Sequence, residues 1–153
     1  MKIECVGGTP VEVTGSSLID VRLDGLNLHR ALLDGQEMGG SSFIGTDLRG
    51  AFISDADMSG CTLERASLIT AFMLRTVLRG AILTNCRAIG CQFDGADLRS
   101  TNLEGADLSG ASFIEAIYNS DTVWPSGFDP VVAGSLLEAD RPTPDSPPQT
   151  PRG

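Results

Sequence analysis

The chain has 153 residues, with 20 acids against 11 bases, one histidine and a net charge of −9. That length allows one domain with a real core, while the acid excess disfavours direct contact with nucleic acid, whose phosphates must be met by Lys and Arg. No run of 18 apolar residues is present, and four scattered cysteines with no C-x-x-C pair suit neither a disulfide framework nor a zinc site.

The opening MKIECVGGTP has no apolar segment of a secretory signal, so a cytoplasmic protein is the expectation. Within residues 1–15, Lys2–Val6 and Val11–Thr14 alternate apolar and polar around a Gly-Gly-Thr-Pro turn. They read as a short hairpin or pair of strands that caps the N-terminal end of the domain.

From Ser16 a five-residue period begins. Large apolar residues stand at every fifth position from Leu18 through Leu23, Leu28 and Leu33 to Phe113 and Tyr118, 21 positions without a slip, and only Ala88 among them is small. Two residues earlier the chain is mostly Ala, Ser, Thr or Cys, and two residues later it is mostly Gly. Neither the strand period of two nor the helix period of 3.6 explains this spacing. A large and a small inward residue followed by a corner does explain it. Such a chain winds into a coil, and no single unit can bury its own apolar residue, so the coils must stack. Periodicity alone allows three or four units per coil.

Units such as ADLRS-TNLEG-ADLSG-ASFIE resemble the pentapeptide repeat family, with its A(D/N)LxX pattern, over residues 16–120. The resemblance implies an all-β fold, a right-handed quadrilateral β-helix with four units per coil and about five coils. Residues 20 apart then stack, giving interior ladders such as Met38–Met58–Leu78–Leu98–Tyr118. Cys61, Cys86 and Cys91 fall at the small inward position and read as inert packing.

At residues 121–139 the period breaks. Trp124 and Phe128 are large enough to lid the last coil, and Asp129-Pro130 is a good helix start. A short capping helix over Pro130–Glu138, carrying Val131, Leu136 and Leu137, is expected there. Residues 140–153 hold five prolines and no apolar pattern, which predicts a disordered tail.

No catalytic constellation, metal site or cofactor motif emerges. His29 stands alone just after an inward residue, and the glycines are corner residues without a phosphate-loop pattern. Two surface departures remain. Leu32, Phe52, Ile69, Phe72, Leu74, Val77, Ile82 and Ile89 stand at outward positions where the repeat expects polar residues, a candidate surface for a protein partner or a homodimer. Asp34, Glu37, Asp55, Asp57, Asp94 and Asp97 form a candidate acidic surface. The expected role is a non-catalytic scaffold whose outer faces bind a macromolecule. The resemblance implies an alternative, since some family members mimic DNA, bind DNA gyrase and protect it from inhibitors, a form of antibiotic resistance.

Overall fold

A computed structural model describes residues 1–140. The tail expected over 140–153 lies, beyond Asp140, outside the described residues. From residue 21 onward each five-residue unit is one short extended segment and one turn. The residue before each inward centre bridges in parallel to the residue 20 positions on: Arg22 to Ser42 to Thr62, Asn27 to Asp47, Leu32 to Phe52 and Glu37 to Asp57. Four units therefore make one coil, and a three-sided coil is ruled out. We label the four sides by their outward columns: side A (Arg22, Ser42, Thr62, Ile82, Asn102), side B (Asn27, Asp47, Ser67, Arg87, Asp107), side C (Leu32, Phe52, Phe72, Gln92, Ser112) and side D (Glu37, Asp57, Val77, Asp97, Ile117).

Two backbone ladders tie the coils. On each side the bridging residue donates back one coil and accepts from the centre of that coil, as in Ser42 N–H to Val21 C=O (2.9 Å) and Leu23 N–H to Ser42 C=O (2.7 Å). At each corner an N–H donates forward, as in Gly25 to Ile44 C=O (2.9 Å). Pairing every coil to the next satisfies backbone groups that a lone coil would leave bare.

The corners explain the glycines. The N–H of each small inward residue donates to the carbonyl three residues back, as in Ala31 to Leu28 (3.0 Å) and Ala96 to Phe93 (2.9 Å). The third residue of each such turn has φ between 54° and 73° from Asp20 to Glu115. That is the left-handed position of a type II turn. Glycine fills eleven of these corners, and nine carry side chains, including Arg30, Thr70 and Arg75. Stacking sets where glycine is needed: a Cβ on Gly95 would lie 3.1 Å from Arg75 Cγ, and one on Gly105 would meet the Asn85 amide.

Centres from Leu18 to Phe113 are buried, and Phe93 and Phe113 stack inside at 5.0 Å. Ala88 is fully buried in the same coil as Phe93, so the small residue opens no path to solvent. The polar residues at the small inward position are bonded. The hydroxyls of Ser41, Thr46, Thr76 and Thr101 donate to the carbonyls of Leu18, Leu23, Ile53 and Leu78, the centres 23 residues earlier. Cys61 Sγ makes the same contact with Met38 C=O (3.0 Å). Burial pushes the Cys61 thiol up to about 11 and the Cys86 thiol to about 12, and holds Cys91 well above the ordinary thiol range. These thiols stay protonated at neutral pH and unreactive.

At the start, β1 (Lys2–Ile3) pairs antiparallel with β2 (Val11–Glu12). The hairpin docks on the first coil through Leu32 N–H to Glu4 C=O (2.7 Å) and Val6 N–H to Arg30 C=O (3.0 Å). At the other end, β3 (Ile117–Tyr118) pairs in parallel with β4 (Leu136–Leu137). Between them one residue is inserted: Asn102 bridges to Val123, a step of 21, and Thr122 Oγ1 reaches Leu98 C=O (2.8 Å). Trp124 and Phe128 stack at 4.9 Å and both meet the Phe113 ring edge-to-face.

The capping helix expected over Pro130–Glu138 is absent, and the described residues contain no α-helix. Asp129 does begin a turn, its carboxylate accepting from Val131 N–H (3.0 Å) and Val132 N–H (3.3 Å). The turn stops at Gly134, where φ is +85°. Leu136 N–H then donates to Ala116 C=O (2.7 Å). The bare edge of the last coil competes for the segment, and each bond made there satisfies a carbonyl that a helix would have left open. Val131, expected on that helix, is exposed, as is its neighbour Val132. A 3-10 turn, Glu138–Asp140, ends the described chain.

Candidate binding face

Side C carries the apolar column. Leu32 bridges to Phe52 and Phe52 to Phe72, and the two rings lie parallel at 5.1 Å, 6° apart. Leu32 is 48% exposed and the phenylalanines are half-buried. Ile69 and Ile89 stand at the corner leading into side C, one coil apart, since Thr70 N–H donates to Ile89 C=O (2.9 Å). Leu74 stands at the corner leading out. Six of the eight candidate residues are thus gathered on one side and its margins. The other two are elsewhere: Val77 lies on side D between Asp57 and Asp97, and Ile82, 41% exposed, faces the opposite way on side A. The column ends at Gln92 and Ser112.

Five of the six candidate acids are tied to the coil's own structure. Asp34 and Asp94 reach forward one coil to accept from Ser54 N–H (2.8 Å) and Ile114 N–H (2.7 Å). Asp57 and Asp97 accept from the N–H two residues on, at Ser59 (2.9 Å) and Arg99 (3.2 Å). This local Asx turn is the reason the family pattern favours Asp or Asn before the centre. Asn27, Asp47, Asn102 and Asp107 do the same. Asp55 is held by both nitrogens of the Arg75 fork (2.7 and 2.8 Å), which lowers its pKa. Asp97 also pairs with Arg79 and Arg99. Only Glu37 has neither a hydrogen bond nor an ion pair among the described residues. The acids do not gather into one field: sides C and D meet at an acidic margin, but basic partners are interleaved along it.

Two features escaped the sequence pattern. Ile114 is 62% exposed beside the exposed Val131–Val132 pair. A cavity of about 410 Å³ lies between the turn of the N-terminal hairpin and the first coil, lined by Cys5, Gly7, Gly8, Thr9, His29 and Arg30 among others. Burial, then the charge of Glu4, raises the Cys5 thiol, so it is no ready nucleophile. No cluster of three or more His, Cys, Asp or Glu among the described residues could hold a metal ion. No described helix is long and apolar enough to cross a membrane.

A family model for pentapeptide repeats matches in eight copies over residues 27–65, 56–91 and 91–117, more than half of the chain. The chain belongs to the pentapeptide repeat family. Among solved structures, the pentapeptide repeat protein Rfr23 from the cyanobacterium Cyanothece 51142 is similar in fold. It is 21% identical, with a TM-score of 0.61 over 69% of this chain and 89% of its own. A pentapeptide repeat protein of the Arabidopsis thaliana thylakoid lumen aligns at 23% identity and a TM-score of 0.43, covering 57% of this chain and 68% of its own. QnrB1, a plasmid-mediated fluoroquinolone resistance protein, aligns at 26% identity and a TM-score of 0.38, covering 65% of this chain and half of QnrB1. No curated protein matches the chain in sequence.

Proposed function

We propose that this pentapeptide repeat protein is a non-catalytic, cytoplasmic scaffold, a right-handed rod of about five coils, that binds a macromolecular partner through side C. The observation that carries this reading is the outward stack of Phe52 on Phe72, continued by Leu32 and flanked by Ile69 and Leu74. The repeat needs nothing apolar at those positions, because Asp or Asn there would brace the corner. Aromatic side chains in a half-exposed column are the usual anchors of an interface. The gyrase-protecting DNA mimic finds less support, since most arginines of the coil pair with its acids and leave no continuous anionic face.

The test is the double variant Phe52→Asn/Phe72→Asn, which writes the family's own residue into both positions. We expect the circular dichroism spectrum and melting profile of the wild type, with loss of the macromolecule that wild-type bait retains. A variant that retains it equally well contradicts the reading.

A further inference from the structure

We propose that the macromolecule on side C is a second copy of this chain, with the two coils side by side and pointing the same way. The proposal rests on the reading of side C as a binding face and names its occupant. Each side of the coil is a five-residue span. On side C of the first full coil that span runs from Arg30 through Leu32 to Asp34, so an arginine and a carboxylate stand two residues to either side of the column. One coil on, Arg49 stands three residues before Phe52 and Asp55 three residues after it. In the next coil Ile69 and Thr70 stand before Phe72, and Leu74 and Arg75 after it, with Arg75 turned back onto Asp55. In the first two coils one margin of the column therefore carries arginines and the other carboxylates, and in the third Ile69 stands across from Leu74, with Arg75 held against Asp55 beside it.

A two-fold axis parallel to the coil axis lays one margin on the other. Arg30 then meets Asp34 of the second copy, Arg49 meets Asp55, and Ile69 meets Leu74, while Leu32, Phe52 and Phe72 each face themselves. A two-fold axis across the coil, through Phe52, sets Arg49 against Arg49 and Asp55 against Asp55. That arrangement gains only Asp34 against Arg75, which Asp55 already holds, and opposes like charges at the centre, so the parallel pairing is favoured. The charges differ in how far they are already engaged, and Arg30 also lines the cavity under the N-terminal hairpin. Arg30 makes no ion pair among the described residues, and Asp34 gives one oxygen to Ser54 N–H. Arg49 and Asp55 are exposed and already paired within the chain, to Asp47 and Arg75, so they add a second contact rather than a first. Exposed pairs contribute little affinity; they set register, and the aromatic column supplies the attraction. The apolar stretch is three coils tall, about 15 Å at strand spacing, so the pairing is weak and reversible.

Sedimentation equilibrium of the full chain from about 1 to 300 µM, the range suited to a small interface, reads the pairing. We expect the mass to rise toward that of a dimer. Arg30→Asp or Asp34→Arg alone should weaken association about tenfold, and the two together on one chain should restore it to about the wild-type value. Orientation is read with Gln92→Cys in a Cys5→Ser background and a short bis-maleimide. Gln92 continues the column, so a covalent dimer forms only if the coils run parallel. A dimer that fails to cross-link at Gln92→Cys overturns the parallel arrangement. A chain that stays monomeric across the range overturns self-pairing altogether. That result leaves side C to be judged by whether Phe52→Asn/Phe72→Asn loses a partner. Dimerisation that Phe52→Asn/Phe72→Asn leaves unchanged overturns the self-pairing on side C.

Discussion

The stretch of coil from Val77 to Arg87 and the stretch stacked on it from Asp97 to Asp107 share one backbone and one interior, yet they treat their corners differently. In the later coil, Asp97, Asn102 and Asp107 each accept from the corner N–H two residues on, at Arg99, Glu104 and Ser109. The same positions one coil earlier hold Val77, Ile82 and Arg87, and Ser67 and Phe72 lead into them. None of them braces its corner, and Ser67 Oγ is buried without a partner. Side chains stand at three of the four left-handed corners from Thr70 to Asn85, Gly80 being the exception, whereas the later stretch has Ser100 and then Gly105 and Gly110. A stretch that forgoes both local stabilisers keeps its fold through the interior and the ladders. Its outward residues are therefore available for another use, which is how the apolar column of side C is best understood.

The largest expected effect lies inside, where the two coils should not differ. Leu78 and Leu98 are fully buried and stack in one ladder. Leu78→Ala and Leu98→Ala should each cost about 2–5 kcal/mol in chemical denaturation, by lost transfer energy and the cavity left behind. A clear inequality between them would mean that the braced corners stiffen the interior locally.

Corner substitutions should separate the coils. Thr70 is β-branched at φ +56°. Thr70→Gly should raise stability by about 1 kcal/mol, the relief of left-handed strain less the glycine's entropy. Gly105→Ala should destabilise, because its Cβ would meet Asn85 as well as the left-handed corner. Differential scanning calorimetry of the two variants checks the signs.

Bracing itself is worth less. Asp107→Ala removes the acceptor for Ser109 N–H (3.1 Å) and Ser109 Oγ (2.6 Å) and should lower the melting temperature slightly. Phe72→Asn should recover a similar amount by giving Leu74 N–H an acceptor. A large loss at Phe72→Asn would instead make Phe72 part of the core.

Acid should expose the smallest difference. Hydrogen bonds from Arg49 hold the Asp47 carboxyl below the ordinary range, and those from Ser109 lower Asp107. At Asp24 burial acts upward, but bonds from Ser42, Arg22 and Ile44 N–H outweigh it. A depressed folded pKa gives stability that is complete above about pH 4, the unfolded carboxyl value, and is lost as pH falls through the folded one. Amides of Arg49 and Ser109 should therefore lose hydrogen-exchange protection below about pH 4. Those of Leu74 and Arg79, which have no carboxylate acceptor, should show no such step.

Much of the fold could be read directly from the residues. The five-residue period, the inward centres and the small inward partners follow from burial, which acts on every coil alike. Four sides rather than three could not be read, because closure depends on corner geometry that Gly, Asp and Arg all satisfy here. The helix over Pro130–Glu138 was misread for a related reason: Asp129-Pro130 is a sound local start, but the ladder edge at Ala116 is a tertiary competitor. On the surface, Leu32, Phe52 and Phe72 were legible as departures from pattern. The acids were not. Asp34 and Asp57 look like a charged face in sequence, and only the coil reveals that each serves a backbone N–H. The opposed margins of Arg30 and Asp34 emerge only once five residues are known to make one side.

The central claim is that side C pairs two copies of this chain and is not a structural accident. Sedimentation velocity of the wild type beside Phe52→Asn/Phe72→Asn, at matched concentrations and with matched melting profiles, tests it most directly. The account predicts that the wild type sediments faster as concentration rises while the folded variant stays at the monomer rate. Identical, concentration-independent sedimentation of the two would contradict it.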